Sequence, residues 1–130
     1  MAGEIRIGRV SAVDYKQGLV SVAYMDRDGS VTKPLPMLAT EYKMPKVGEL
    51  VMVLHLSNGT EAGLVLGGYW HSDNLPADSG EHLFCKELGE APGEALIRYD
   101  GKTLTIKCTG SVKIEADGNI SLSGAKINLN

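Results

Sequence analysis

Two cysteines and three histidines are the side chains best suited to metal or nucleophilic chemistry, and their spacing organises neither. Cys85 and Cys108 form no CxxC pair, and His55, His71 and His82 show no HxH, HExxH or HxxxH spacing that would set two imidazoles on one face. No metal ligands are expected. No basic segment leading into an apolar stretch opens the chain, so Sec export is not expected and both thiols are expected to be free. Serines, histidines and aspartates occur without a nucleophile elbow, so no catalytic residue and no enzymatic activity are expected. The glycine-bearing turns lack both GxGxxG and GxxxxGK[ST], and the acids beside them would repel a phosphate, so no cofactor is expected. Tyr15, Tyr24, Tyr42, Tyr69 and Trp70 could stack on bases, but residues 1–70 balance seven acids against seven bases with no interleaving of aromatics and cations. A net charge of −3 argues further against a general nucleic-acid or anionic-membrane binder.

The elements carry the information that these residues lack. The 130 residues suit one ordinary domain, or a domain of about 70 residues with an appendage, and a barrel of that size is marginal alone. Aromatics make up 5% of the chain, so its core must come from Val, Ile, Leu and Met. Residues 1–72 read as strands: Ile5 to Val13, then Leu19 to Tyr24, an Asp26-Arg27-Asp28-Gly29 hairpin turn, and Ser30 to about Leu35, where Pro34 and Pro36 end regular pairing. A long connection over 36–48 precedes Glu49–Leu56, whose apolar run fits a strand covered on both faces. That run is interrupted by His55 and is too short to span a bilayer. Ser57-Asn58-Gly59-Thr60 reads as a turn, and Glu61–Tyr69 as the last strand. Five short strands with a long third connection fit a small closed barrel of the oligonucleotide/oligosaccharide-binding (OB) type, with an SH3-like barrel as the competitor. Trp70 is expected to pack the barrel's open end, and His55 to be a hydrogen-bonded core or interface histidine. Residues 73–98 hold six acids against Lys86 and Arg98, with frequent turn signals, and read as an acidic connector with one short strand near 82–86.

Residues 99–130 carry the sharpest pattern. Leu104 and Ile106 recur eight residues later as Val112 and Ile114, eight later again as Ile120 and Leu122, and after seven more as Ile127 and Leu129. Gly110 and Gly118 share this register, and Gly124 falls at the shortened repeat. Each unit is an apolar-x-apolar strand followed by a glycine-bearing turn. A repeat this short cannot enclose its own core, so each strand exposes an apolar stripe. Three chains winding about one axis would bury those stripes together. The spacing therefore points Leu104, Ile106, Val112, Ile114, Ile120, Leu122, Ile127 and Leu129 towards a trimer axis, with Lys107, Lys113, Glu115 and Lys126 outside or near the turns. A pair of ordinary hairpins packed on the barrel is the alternative. The expected fold is thus all-β: an N-terminal OB-fold barrel followed by a short intertwined trimeric β-helix.

In order and spacing the chain resembles the phage baseplate assembly protein V family, the central spikes of contractile tails. The resemblance lies in Ile7-Gly8-Arg9-Val10-Ser11-Ala12-Val13-Asp14 with Gly18-Leu19-Val20-Ser21-Val22, in Met44-Pro45-Lys46-Val47-Gly48-Glu49-Leu50-Val51-Met52-Val53-Leu54, and in Gly63-Leu64-Val65-Leu66-Gly67-Gly68. It continues into the repeats through Arg98-Tyr99-Asp100-Gly101-Lys102-Thr103-Leu104-Thr105-Ile106. What the resemblance implies is a homotrimeric needle at the centre of a tail baseplate, driven through a bacterial envelope when the sheath contracts. Its implied partners are baseplate hub and tail tube proteins, with no nucleic acid. Because the shaft is very short, either its point is blunt, a separate tip-capping protein covers it, or the sequence is a fragment of a longer spike. Its implied place is the virion baseplate or a phage-tail-like bacteriocin particle, after synthesis in the bacterial cytoplasm. Longer members hold iron at an apex through a histidine-x-histidine motif, which the terminal Asn128-Leu129-Asn130 lacks, so that site is not carried over. The competing expectation is an OB-fold binding module for single-stranded nucleic acid or another ligand.

Overall fold

The computed structural model describes residues 4–56 and 62–130 and is all-β, with no α-helix among them. The expected turn at Ser57–Thr60 and the start of the following strand at Glu61 lie outside the described residues. The chain divides into two compact units, Met1–Leu75 and Pro76–Asn130.

The first unit is built on β1 (Glu4–Asp14), β2 (Leu19–Tyr24), β3 (Ser30–Val31), β4 (Leu35–Pro36), β5 (Leu50–His55) and β6 (Gly63–Gly67). The sheet runs in the order β3-β2-β1-β5-β6, each neighbour antiparallel, with β4 also paired to β2. Directly after β4, Met37 makes a parallel bridge to Val65 of β6, and the Leu38 amide donates to the Val65 carbonyl at 3.3 Å. The two edges of the sheet therefore meet, and the strands close into a ring. The expected third strand is split at Thr32–Pro34, where Pro34 has no amide to give to a ladder. Between its halves the Thr32 hydroxyl accepts from the Val22 amide at 3.1 Å, standing in for a strand carbonyl.

Alternation decides the core. In β2 and β5 every second residue is buried, giving Val20, Val22 and Tyr24 on one strand and Val51, Val53 and His55 on the other. With Val10, Leu35 and Val65 these form the buried cluster, and β-branched valine suits a tightly curved, half-buried sheet. Gly48, at φ +92°, turns the long connection into β5, and its amide donates to the Val10 carbonyl at 2.8 Å. One polar pair lies within this core: the Tyr24 hydroxyl and His55 Nε2 are 2.6 Å apart, and the Arg6 guanidinium stacks 4.3 Å from the centre of the Tyr24 ring. Both Asp26 carboxylate oxygens accept from Arg6 at 2.9 Å, which fixes that cation over the ring. His55 is thus a hydrogen-bonded core residue.

Burial, more than any other influence, pushes the Tyr24 hydroxyl above its ordinary pKa, although Arg6 pulls the other way. A phenol whose pKa is raised on folding contributes stability that is intact below its unfolded value and is lost as pH rises past it. Tyr24→Phe is accordingly expected to cost about 1–3 kcal/mol at neutral pH, because buried His55 Nε2 loses its partner. The same variant should flatten the loss of stability above pH of about 10. Urea denaturation at neutral and alkaline pH checks both.

Candidate assembly surface

The second unit is a three-stranded antiparallel sheet in the order β7 (Phe84–Glu87), β8 (Ala95–Tyr99), β9 (Leu104–Cys108). Strand β7 and all but the last residue of β8 lie within residues 73–98, which the sequence suggested as a connector with one short strand. Ala91-Pro92-Gly93 lies between β7 and β8, where the Glu87 carboxylate accepts from the Gly93 amide at 2.8 Å and Gly93 takes φ +80°. Asp100-Gly101 links β8 to β9; the Asp100 carboxylate accepts from the amides of Lys102 and Thr103 at 2.9 and 2.8 Å. Those two amide hydrogen bonds hold the Asp100 carboxyl below its usual pKa.

Register sorts the sheet into two unlike faces. Phe84, Tyr99 and Leu104 lie side by side, as do Lys86, Ile97 and Ile106, so one face is predominantly apolar. Cys85, Arg98 and Thr105 share the other face with Glu87, Leu96 and Lys107. There Arg98 Nε donates to Asp78 at 2.7 Å, which lowers the Asp78 pKa and raises that of Arg98. Cys85 is a half-buried free thiol whose pKa is pushed up by partial desolvation first and by the neighbouring Glu87 second, so it is a poor nucleophile at neutral pH. Cys108 is free as well. The apolar face is open, with Phe84 at 59%, Leu104 at 63% and Ile106 at 67% exposure.

Beyond β9 the chain keeps the strand pattern without strand partners. The Thr109 amide donates to the Glu94 carbonyl at 2.9 Å, extending the last ladder by one step. From Gly110 to Asn130 no strand or bridge forms among the described residues. The backbone bends at Thr109-Gly110, at Asp117-Gly118 and at Ala125, which keeps the spacing of the repeats, and runs without turns between those points. Val112, Ile114, Ile120, Leu122, Ile127 and Leu129 are all exposed, Leu129 most of all. Of the eight residues assigned to an axis, the structure thus sets Leu104 and Ile106 on β9 and leaves the other six on unpaired chain. Lys107, Lys113 and Glu115 are exposed too, and Lys113 pairs with Glu115 at 3.1 Å. No residue of 76–130 is buried.

Sequence reasoning missed Phe84 and Tyr99 as members of the apolar face; the alternation Phe84-x-Lys86 and Ile97-x-Tyr99 was the available signal, obscured by the turns around it. Trp70 corrects an expectation, because it is 67% exposed and packs no open end of the barrel. The short turn that follows it, bridged between His71 and Asn74 and held by the Asn74 side chain donating to the Tyr69 carbonyl at 2.9 Å, leaves the indole outside.

No family model matches this chain, and no curated protein matches it in sequence.

Proposed function

We propose that the protein is a homotrimeric central spike of a contractile injection tail, with an OB-fold collar and a short intertwined β-helical shaft. The observation that carries this reading is a second unit with an open apolar sheet face, a tail of unpaired extended segments and no buried side chain. Burying one aliphatic side chain stabilises by roughly 1.5–3 kcal/mol, and eight per copy stand exposed in register. Unpaired strand backbone in water also forgoes its ladder, and three chains winding together would supply partners for both.

Strand order supports the OB-type collar. Antiparallel neighbours β2-β1-β5-β6, with a parallel contact between the segment after β4 and β6, are the pairings that a five-stranded Greek-key barrel of that class calls for. Resemblance to the baseplate assembly protein V family supplies the rest: assembly with hub and tail tube proteins in a phage or bacteriocin baseplate, and a mechanical role in piercing the bacterial envelope, without catalysis or cofactor. A needle driven by force must resist unfolding, and interwoven chains separate only when many backbone hydrogen bonds and the apolar axis break together. In sodium dodecyl sulfate the unheated protein is therefore expected to migrate near three times its 13.9 kDa and to reach the monomer position only after boiling.

One contact favours the second reading, an OB module for single-stranded nucleic acid. The Tyr42 hydroxyl donates to the Tyr15 carbonyl at 3.0 Å, which brings two exposed tyrosines together with Lys16 and Lys43 beside them in sequence. A monomer band in the unheated gel, together with salt-dependent binding of an oligonucleotide, would replace the spike by this module.

A further inference from the structure

The first unit has a second apolar face that its own core does not use. In β1, Gly8 and Val10 point inward, so Ile5 and Ile7 point outward, at 61% and 49% exposure. Register sets Ile5 beside Leu54 and Ile7 beside Met52, and Leu54 beside Leu64 of β6. Met52, Leu54 and Leu64 are each half-buried, between inward residues that are fully buried. Ile5, Ile7, Met52, Leu54 and Leu64 thus form one aliphatic surface across three strands, bordered at the Leu50 end by Arg9, whose guanidinium donates to the Gly48 carbonyl at 3.0 Å. The apolar run of β5 was expected to be covered on both faces, and within one chain only one face is.

We infer that this outer face of β1, β5 and β6 is covered by the first unit of another copy of the same chain. The inference rests on the trimer proposed above. Five aliphatic side chains fall short of the roughly 800 Å² per partner that a stable independent interface buries, so this face needs a partner already held nearby by another contact. The repeats provide that contact between copies. Charge permits it, since residues 1–70 are balanced and copies of the first unit would not repel one another. Nucleic acid would require several cations with stacking aromatics on the face, whereas it has no aromatic and a single cation at its border, Arg9, which is already hydrogen-bonded to the Gly48 carbonyl.

A photoreactive residue at position 7 of the full chain tests this. p-Benzoylphenylalanine in place of Ile7, irradiated after the sample mass has been measured, is expected to give a covalent adduct of two chains, with peptide mapping placing the bond between residue 7 and the neighbour's first unit. The same probe in place of Val31, which is 56% exposed on β3 outside the face, should give at least tenfold less. A sample with the mass of three chains that yields no interchain adduct, only adducts within one chain, or adducts to the neighbour's second unit would overturn the inference and leave the trimer standing. A sample with the mass of one chain would overturn both.

Discussion

The Ile114→Asp chain is expected to stay monomeric at concentrations where the parent chain is trimeric. Within one chain Ile114 is 74% exposed and has no core contact, so a carboxylate there costs the monomer nothing. In the proposed assembly three such carboxylates face one another across a dry axis. Each would lose its hydration, at several kcal/mol even after relaxation, and each would repel the other two. Against this, one isoleucine returns roughly 1.5–3 kcal/mol of burial per copy, so the substitution both removes a favourable contribution and adds a larger penalty. Glu115→Ala is the matched control, since alternation places Glu115 on the opposite side of the same segment. Light scattering should report a monomer for the first variant and an unchanged oligomer for the second. If Ile114→Asp keeps the oligomeric mass, the axis does not pass Ile114.

The second large effect belongs to Gly8. A Cβ at this position would lie 2.5 Å from Val22 Cγ1, 2.7 Å from the Ala23 carbonyl oxygen and 2.8 Å from Tyr24 Cδ1. One of these atoms is backbone and the other two belong to buried side chains, so none can swing away. Gly8→Ala should therefore force β1 and β2 apart and destabilise the first unit by about 3 kcal/mol, near the upper end of ordinary overpacking. That is a large share of the roughly 5–15 kcal/mol by which a domain is stable. Gly18→Ala makes an informative comparison. A Cβ there meets nothing within 4 Å, so the cost is that of φ +68° alone, about 1–2 kcal/mol. Urea midpoints of the two variants against the parent would order them, and a Gly8→Ala midpoint equal to the parent's would contradict the packing described for β1.

How much of this was legible in the chain follows from which signals are local. The apolar runs Leu19–Tyr24 and Leu50–His55 mark their strands in the sequence, but Leu50–His55 is apolar at nearly every step, so which residues face inward, every second one in both strands, is settled by the fold and not by the pattern. The closing contact of Met37 with Val65 joins residues far apart in sequence through a single parallel step, and no local pattern announces it. Gly8 is similar: its need for no side chain comes from β2 passing close across it. The apolar face of the second unit was half visible. Leu104 and Ile106 stood out by repetition, whereas Phe84 and Tyr99 join them only through the register of β7 and β8. The turn signal at Ala91-Pro92-Gly93 was read correctly as a turn, but a turn that separates strands looks the same in sequence as a turn within a linker. Trp70 went astray for a related reason. A large aromatic at the end of a strand is a fair candidate to close a barrel, yet the Tyr69–Asn74 turn carries it outward.

The central claim is that residues 99–130 assemble three copies of this chain. Its most direct test is the solution mass by multi-angle light scattering over a wide range of concentrations, for the full chain and for one ending at Arg98. The account predicts a concentration-independent species near three times 13.9 kDa for the full chain, lost in the truncated one. A full chain that remains at 13.9 kDa at every concentration would contradict it, and the exposed aliphatic repeat would then need another partner.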